Sequence, residues 1–402
     1  MFTELLDIAV VALAAPLLVV LVPRLRVPAV VLEIVGGIVI GPQVLNLVRP
    51  DLHVTLMSQI GLAFLLFLAG LEVDVGRLRG PLTSLAARAF VVSIGLALVA
   101  AYLLGLLGVD EDPLLIAIVL VATSLGVLVP VLKDTGELNS EFGQLVFISG
   151  SIAEFGSILL LSLFFSKETS NPASAIVLIV GFGLVIALGS YFVGRVWHST
   201  WLTRQMEHLE ESSSQLRVRA AVAILLAFVA MANHLGLEAI LGAFLAGALV
   251  RVIDREEAVA SAAFRMKLEA IGFGFVVPFF FVTTGITLDL KALFSSWSAA
   301  QEIPMFLIAL LAVRGLPALL YRERFGARRC YVAGLMQATS LTFIVVAAHL
   351  GAQLHKIDAS SEAALITAGL LSVLLFPALA LVVSGRSGEI EQLVLHEEES
   401  EA

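Results

Sequence analysis

Two ionisable residues stand near the middle of long apolar segments of this sequence. Glu154 lies centrally in the apolar stretch 142–166, and Arg314 lies centrally in the stretch 303–321. A charged side chain inside hydrocarbon is energetically expensive, and such residues usually mark a functional site. A carboxylate at that depth can bind a proton or a small cation, but hardly both at once. Competition for Glu154 is therefore sufficient chemistry for exchanging protons against a monovalent cation.

Two further residues leave alternatives open at this acid. Ser151 precedes Glu154 by three residues, which places both side chains on one helical face, so Ser151 is a candidate second ligand. Arg314 has the depth needed for a static ion pair with Glu154 that only joins two helices. An ion pair that opens during transport would satisfy both interpretations.

The motif Ala-Thr-Ser-Leu occurs twice, at residues 122–125 and 338–341. Its hydroxyl-bearing residues are Thr123, Ser124, Thr339 and Ser340. Hydroxyl side chains bond to the backbone and loosen a helix, and Pro130 removes a backbone donor after the first copy. We therefore predict interrupted helices whose freed carbonyls are available to a cation, with less certainty for the second copy, which has no such proline. The alternative is that these hydroxyls bond back within intact helices.

The remaining polar residues carry weaker signals. Glu33 and Glu238 lie nearer the ends of their apolar segments and are as compatible with an interfacial position as with a functional one. Gln337 is placed to face the pathway, and His349 is expected nearer the outer interface. The acidic run 110–112 is interpreted as a solvated turn.

Several chemistries are disfavoured by what the sequence lacks. Ser149 has no histidine partner at matching depth, which makes an intramembrane serine protease a remote option. No glycine-rich phosphate loop is present, and the one cysteine, Cys330, cannot form an internal disulfide. We predict a protein that is not an enzyme, has no cofactor and holds no metal beyond a transported monovalent cation.

Composition places the chain in a membrane. Of its 402 residues, 59% are hydrophobic and only 14% are charged, with a mean hydropathy of +1.01. Soluble globular proteins are about one quarter charged, so a soluble enzyme, a disordered chain and a nucleic-acid binder are excluded. The N-terminus has no basic residue before its first apolar segment, so we expect that segment to be retained as a helix.

Apolar stretches between charged or Pro/Gly-bearing breaks predict an all-α polytopic membrane protein with thirteen transmembrane helices. The predicted helices span residues 5–22, 28–48, 54–72, 83–108, 113–131, 142–166, 173–196, 217–235, 237–253, 268–288, 303–321, 329–350 and 361–384.

The basic residues support this count and orient the chain. Of the 24 Lys and Arg residues, 19 fall on one side, four fall on the other and Arg314 remains within the membrane. Cytoplasmic loops collect basic residues, so the N-terminus is predicted outside and the C-terminus in the cytoplasm.

Three matched patterns at nearly constant spacing indicate an inverted-topology repeat. Gly70–Asp74 and Gly285–Asp289 share one pattern, the two Ala-Thr-Ser-Leu motifs share a second, and the segments around Glu33 and Glu238 share a third. Matched helices lie seven apart and cross in opposite directions, as in many secondary transporters. The alternative is that small residues simply recur at helix contacts. The predicted divisions are a first repeat at 1–166, a linker helix and loop at 167–216, a second repeat at 217–385 and a short acidic tail at 386–402.

Three of these segments resemble the cation:proton antiporters, particularly the bacterial sodium/proton antiporters and Kef-type potassium efflux systems. The resemblance rests on Pro28–Pro42, Gly61–Asp74 and Pro278–Asp289. It implies a homodimer with a dimer-forming scaffold and a mobile core that contains two crossed, discontinuous helices. Thr123 and Ser124 would mark the first break, and Thr339 and Ser340 the second.

The resemblance also points to the ion-binding acid. Family members carry it as the second residue of a pair such as Asp-Asp or Asn-Asp, where this chain has Ala153-Glu154. Arg314 matches a basic residue that some members pair with this site. One central carboxylate predicts one proton per cation, and hence electroneutral exchange.

The expected function is alternating-access exchange of protons for Na+ or K+ in the inner or plasma membrane. One alternative is a proton-coupled organic-anion carrier that binds its substrate through Arg314. The other is an ion channel or sensor that reuses the scaffold.

Overall fold

The computed structural model describes residues 2–21, 28–72, 80–109, 111–134, 136–165, 215–234, 238–253, 258–293 and 297–384. These residues form helices joined by short turns, with no strand among them. The predicted helix 173–196 and the acidic tail 386–402 lie outside the described residues. The all-helical prediction is confirmed for the part of the chain that the structure describes.

Sixteen α-helices, numbered here in chain order, occupy the described ranges. They are α1 (Phe2–Leu21), α2 (Ala29–Ile40), α3 (Leu52–Glu72), α4 (Pro81–Leu106), α5 (Pro113–Leu120), α6 (Leu125–Asp134), α7 (Glu141–Phe164), α8 (Leu216–His234), α9 (Ala239–Ile253), α10 (Ala258–Ile271), α11 (Val277–Thr287), α12 (Leu290–Leu293), α13 (Trp297–Gly315), α14 (Arg322–Gln337), α15 (Thr342–Gln353) and α16 (Ala359–Ser384). A π-helical turn, Gly272–Val276, joins α10 to α11, and a 3₁₀ segment, Leu316–Tyr321, joins α13 to α14. Eight helical runs within the described residues are long and apolar enough to cross a membrane.

Both predicted interruptions are present. The predicted helix 113–131 is divided into α5 and α6 by the non-helical residues 121–124. The predicted helix 329–350 is divided into α14 and α15 at residues 338–341, although no proline lies there. The alternative of intact helices with back-bonded hydroxyls is therefore wrong at both positions.

The chain divides into two compact units, each made of separate stretches of sequence. The first unit comprises residues 1–25, 29–75 and 158–287. The second comprises residues 26–28, 76–157 and 288–402. Each unit thus takes segments from both predicted repeats, and every predicted site residue belongs to the second unit.

Glycines let helix backbones touch at two crossings of the first unit. A Cβ added at Gly247 of α9 would lie 1.9 Å from the Phe67 carbonyl oxygen of α3. At the other crossing, a Cβ added at Gly285 of α11 would lie 2.0 Å from the Ile34 carbonyl oxygen of α2. The two crossings use glycines at matched positions of the sequence pattern, as an inverted repeat would produce. The repeat itself stays a prediction.

The Gly247→Ala substitution is expected to lower the free energy of unfolding by about 3 kcal/mol, the upper end of overpacking costs, because the obstructing atom is backbone and cannot rotate away. Thermal unfolding in detergent measures the effect. Gly95→Ala is the matched control: Gly95 is also helical, and a Cβ there would meet nothing within 4 Å. Equal melting temperatures for the two variants would contradict the proposed close contact.

Asp112 organises the start of α5 in the second unit. Its Oδ1 accepts hydrogen bonds from the backbone N–H groups of Leu114 and Leu115, at 3.0 and 3.2 Å. Its Oδ2 lies 3.0 Å from Lys356 Nζ, and its own N–H donates to the Lys356 carbonyl. The outer ends of the two interrupted helices are therefore joined through Asp112 and Lys356.

We expect Asp112→Ala to lower the free energy of unfolding by about 1 kcal/mol through loss of this helix cap. Asp112→Asn should retain most of that stability, since asparagine also caps and the partly exposed ion pair contributes little. Chemical or thermal unfolding of both variants distinguishes the contributions. A loss in Asp112→Asn as large as that in Asp112→Ala would assign the effect to the ion pair instead.

Candidate functional site

The two helix interruptions meet in the second unit. The Ser124 N–H donates to the Thr339 carbonyl oxygen at 2.9 Å. The Thr123 hydroxyl donates to the Gln337 carbonyl oxygen at 2.6 Å, and the Ser124 and Thr342 hydroxyls lie 3.2 Å apart. Residues separated by more than two hundred positions thus satisfy backbone groups that the interruptions leave without helical partners. The crossing predicted from the repeated motif is present.

Glu154 of α7 reaches the first interruption. Its side chain is buried, and its Oε2 accepts a hydrogen bond from the Leu125 N–H at 3.2 Å. Leu125 is the first residue of α6, so the carboxylate lies at a helix N-terminus, where unpaired N–H groups and the helix dipole stabilise negative charge. The backbone therefore favours an ionised carboxylate, which is the form that binds a cation.

Ser151 uses its hydroxyl proton within α7. Its Oγ donates to the Phe147 carbonyl oxygen at 3.0 Å, one turn earlier in the same helix. This bond occupies the proton but leaves oxygen lone pairs. The role of Ser151 as a second ligand stays a prediction.

Arg314, near the end of α13, is fully buried beside the first interruption. Its Nε donates to the Thr123 hydroxyl oxygen at 2.9 Å, and its Nη1 donates to the Ser93 hydroxyl oxygen of α4 at 3.0 Å. Both of these hydrogen bonds go to hydroxyl groups and neither to Glu154. The described contacts therefore place Arg314 as a clamp on Thr123, which in turn holds the Gln337 carbonyl.

Gln337 contributes its side chain as well as its carbonyl. Its Oε1 accepts from the Ser149 hydroxyl at 3.1 Å, and its Nε2 donates to the Tyr321 hydroxyl at 3.4 Å. The Ser149 and Tyr321 hydroxyls lie 3.1 Å apart. This buried network links α7, the 3₁₀ segment and α14 behind the crossing, and it makes Gln337 a structural residue of the second interruption.

Ser372 of α16 supports the other side of the second interruption. Its hydroxyl accepts from the Ser340 N–H at 3.1 Å and lies 3.0 Å from the Ser340 carbonyl oxygen. Both backbone groups of Ser340 are thereby satisfied without a helix, which stabilises the break in the absence of a proline.

The other polar candidates lie away from the crossing. His349 is exposed and pairs with Glu362 at 3.3 Å and with Gln353 at 2.9 Å, consistent with the interfacial position expected for it. Glu33 and Glu238 are buried in the first unit. Among the described residues, no three acidic, histidine or cysteine side chains are grouped closely enough to hold a metal ion.

The sequence profile described as "Sodium/hydrogen exchanger, transmembrane" matches residues 9–381. The chain belongs to the sodium/hydrogen exchanger family. It is therefore an integral membrane protein of a transporter family rather than of an enzyme family.

Relatives of this exchanger-family chain extend over most of its length. The Bacillus subtilis protein named "Putative Na(+)/H(+) antiporter YjbQ" is 31% identical and matches 93% of the chain, which spans 62% of that protein. The Na+/H+-K+ antiporter GerN of Bacillus cereus is 28% identical, with 70% of this chain and 71% of GerN covered. The solved sodium proton antiporter MjNhaP1 from Methanocaldococcus jannaschii superposes with a TM-score of 0.68 at 16% identity, covering 97% and 98% of the two chains. That last likeness concerns the fold.

Sequence reasoning missed the residues that support the crossing. Ser93, Tyr321 and Ser372 drew no attention, and Ser149 was weighed only as a nucleophile. Isolated hydroxyls in apolar helices are common, because they can bond back to their own backbone. The one available signal was shared depth with the repeated motif, which gives no direction around the helix.

Proposed function

We propose that this exchanger-family chain exchanges protons for Na+ or K+ across the membrane by alternating access. The observation that carries the proposal is the buried Glu154 carboxylate at the N-terminus of α6, beside the crossing of two interrupted helices. Half-helix ends and unwound carbonyls are suited to holding a small ion near the membrane midplane. Thr123, Ser124, Thr339 and Ser340 frame this site, and Ser151 is the proposed second ligand.

Exchange follows from the competition for one acid. A cation that binds the ionised carboxylate must leave before a proton can bind, and the proton must leave before the next cation. Because Glu154 is the one acid at the crossing among the described residues, one proton exchanges for one monovalent cation. The exchange is then electroneutral. Arg314 positions the crossing and carries no transported ion.

Two sources support the proposed ions. A site with one carboxylate suits a monovalent cation better than a divalent metal, which takes several oxygen ligands. The relatives named for Na+/H+ and Na+/H+-K+ antiport include both candidate cations. We further propose a homodimer in the inner or plasma membrane, surrounded by lipid, with the N-terminus outside and the C-terminus cytoplasmic, as the distribution of basic residues indicates.

An ion panel in proteoliposomes tests this proposal. Purified protein is reconstituted with an imposed pH gradient, and NaCl, KCl or choline chloride is added while pH and membrane potential are recorded together. Na+ or K+, but not choline, should dissipate the pH gradient without generating a potential. A conductance that follows voltage without proton flux would indicate a channel, and proton flux driven by organic anions alone would indicate the anion carrier.

A further inference from the structure

A cavity of about 220 Å³ lies at the end of the second unit that carries Arg328 and Arg329. The basic residues assign this end to the cytoplasm. The apolar part of the wall includes Val131, Leu132, Phe142, Val332, Met336 and Leu381. An apolar cavity beside charged residues suits an occupant that is apolar and acidic together.

The cavity touches the elements that hold the proposed ion site. Val131 and Leu132 belong to α6, whose first residue binds Glu154, and Met336 of α14 directly precedes Gln337. Leu381 brings in the last turns of α16. An occupant of this cavity would therefore brace the inner halves of both interrupted helices.

The rim of the cavity is basic. Arg328 is exposed, and its Nε donates to the Val383 carbonyl oxygen at 2.7 Å. The Arg329 side chain is 51% exposed, lies 5.5 Å over the Phe142 ring and is 3.9 Å from Glu137. At that distance the Glu137 pair is weak and leaves Arg329 able to attract an anion.

The size of the cavity limits its occupant. Sites for drug-sized ligands measure roughly 300–1,000 Å³, and this cavity is smaller. It suits a few apolar side chains of a peptide segment. Acidic residues flanking those side chains would meet the two arginines.

The sequence after Ser384 has this composition and begins at the cavity wall, since Ser384 lines it. Residues 385–402 lie outside the described residues. They contain Ile390, Leu393, Val394 and Leu395 within a segment that carries six glutamates. An extended chain spans about 30 Å from Ser384 to Leu393, which is ample for a return to a cavity of this volume.

We propose that the acidic segment 389–402 docks on this cavity of its own chain, with Leu393 and Leu395 in the apolar part and Glu397–Glu399 facing Arg328 and Arg329. The docked segment braces α6 against α14 and so slows the movements that transport requires. This proposal goes beyond the ion-exchange function, and its binding test needs no transport activity.

A peptide-binding measurement tests the docking. The protein truncated after Ser387 is titrated with a fluorescent peptide of residues 388–402, and binding is followed by anisotropy. Saturable binding is expected, with at least about tenfold weaker affinity when Glu397–Glu399 are glutamine or when 0.5 M choline chloride screens the charges. Changing the peptide leaves the fold of the protein untouched, and choline avoids the proposed transported ions. No binding, or binding indifferent to these charges, overturns the proposal.

Cross-linking tests the location in the full-length chain. In a Cys330→Ser background, which has no other cysteine, Val332→Cys is paired with Leu393→Cys or Leu395→Cys and exposed to a mild oxidant. Ser84→Cys replaces Val332→Cys as the matched control, since Ser84 is exposed in the same unit on the same predicted side. A disulfide within one chain is expected for the Val332→Cys pairs only. A disulfide between two chains would assign the site to a second copy, and equal yields with Ser84→Cys would reject a defined site.

Discussion

Replacing Glu154 with glutamine is expected to reduce cation-driven proton flux at least about 100-fold. Glutamine keeps the size of the side chain and can still accept from the Leu125 N–H, but it carries neither the negative charge nor the titratable proton. Loss of a charged ligand worth about 3 kcal/mol corresponds to a factor of this size. The measurement is dissipation of a pH gradient in proteoliposomes on addition of Na+ or K+.

Two further variants make that result specific. Glu33→Gln removes a carboxylate with similar burial, 6% exposed against 7% for Glu154, but in the first unit, and it should retain exchange. Glu154→Asp should retain measurable exchange, because the charge and the proton-binding group remain. Full activity of Glu154→Gln would remove Glu154 from the site, and equal losses in Glu33→Gln would show a general intolerance of such changes.

Replacing Arg314 with methionine is expected to lower both stability and exchange. The substitution removes two charge-assisted hydrogen bonds, each worth roughly 1.5–3 kcal/mol, and it releases Thr123 from its clamp. We expect a several-kilocalorie loss in the free energy of unfolding and at least about a tenfold loss in exchange rate, since 1.4 kcal/mol corresponds to a factor of ten. Thermal unfolding and the proteoliposome assay measure the two effects.

Companion variants separate a positioning role for Arg314 from a charge-pairing role. Arg314→Lys keeps the charge but lacks the planar fork that serves Thr123 and Ser93 together, so an intermediate loss is expected. Ser93→Ala removes one of the two bonds without changing any charge. If Arg314 acted through its charge on Glu154, Arg314→Lys would be nearly as active as the unchanged protein and Ser93→Ala would have no effect.

Much of the fold follows from properties that a sequence carries locally. The shortage of charge excluded a water-soluble protein, and apolar stretch lengths predicted helices that overlap those of the described residues. The copies of Ala-Thr-Ser-Leu located both interruptions, because hydroxyl side chains loosen a helix wherever it lies. The prediction for the second break was weaker, since its stabilising partner, Ser372, lies on a distant helix.

The site was only partly accessible from sequence. Glu154 and Arg314 were paired because they share a depth in the membrane, and depth follows from counting along an apolar segment. Depth does not determine the direction in which a side chain points, which depends on how each helix is rotated against its neighbours. The structure turns Arg314 toward the hydroxyls of Thr123 and Ser93 and brings the Leu125 N–H to Glu154.

The sequence by itself thus determined the membrane class, the interrupted helices and the acid at the centre, because each depends on residue type within a single segment. Only the tertiary structure decided which polar groups meet. Arg314 and Ser93 stand 221 residues apart, and Ser149 and Gln337 stand 188 apart. Contacts over such separations depend on the packing of whole helices, and no local pattern of residues encodes that packing.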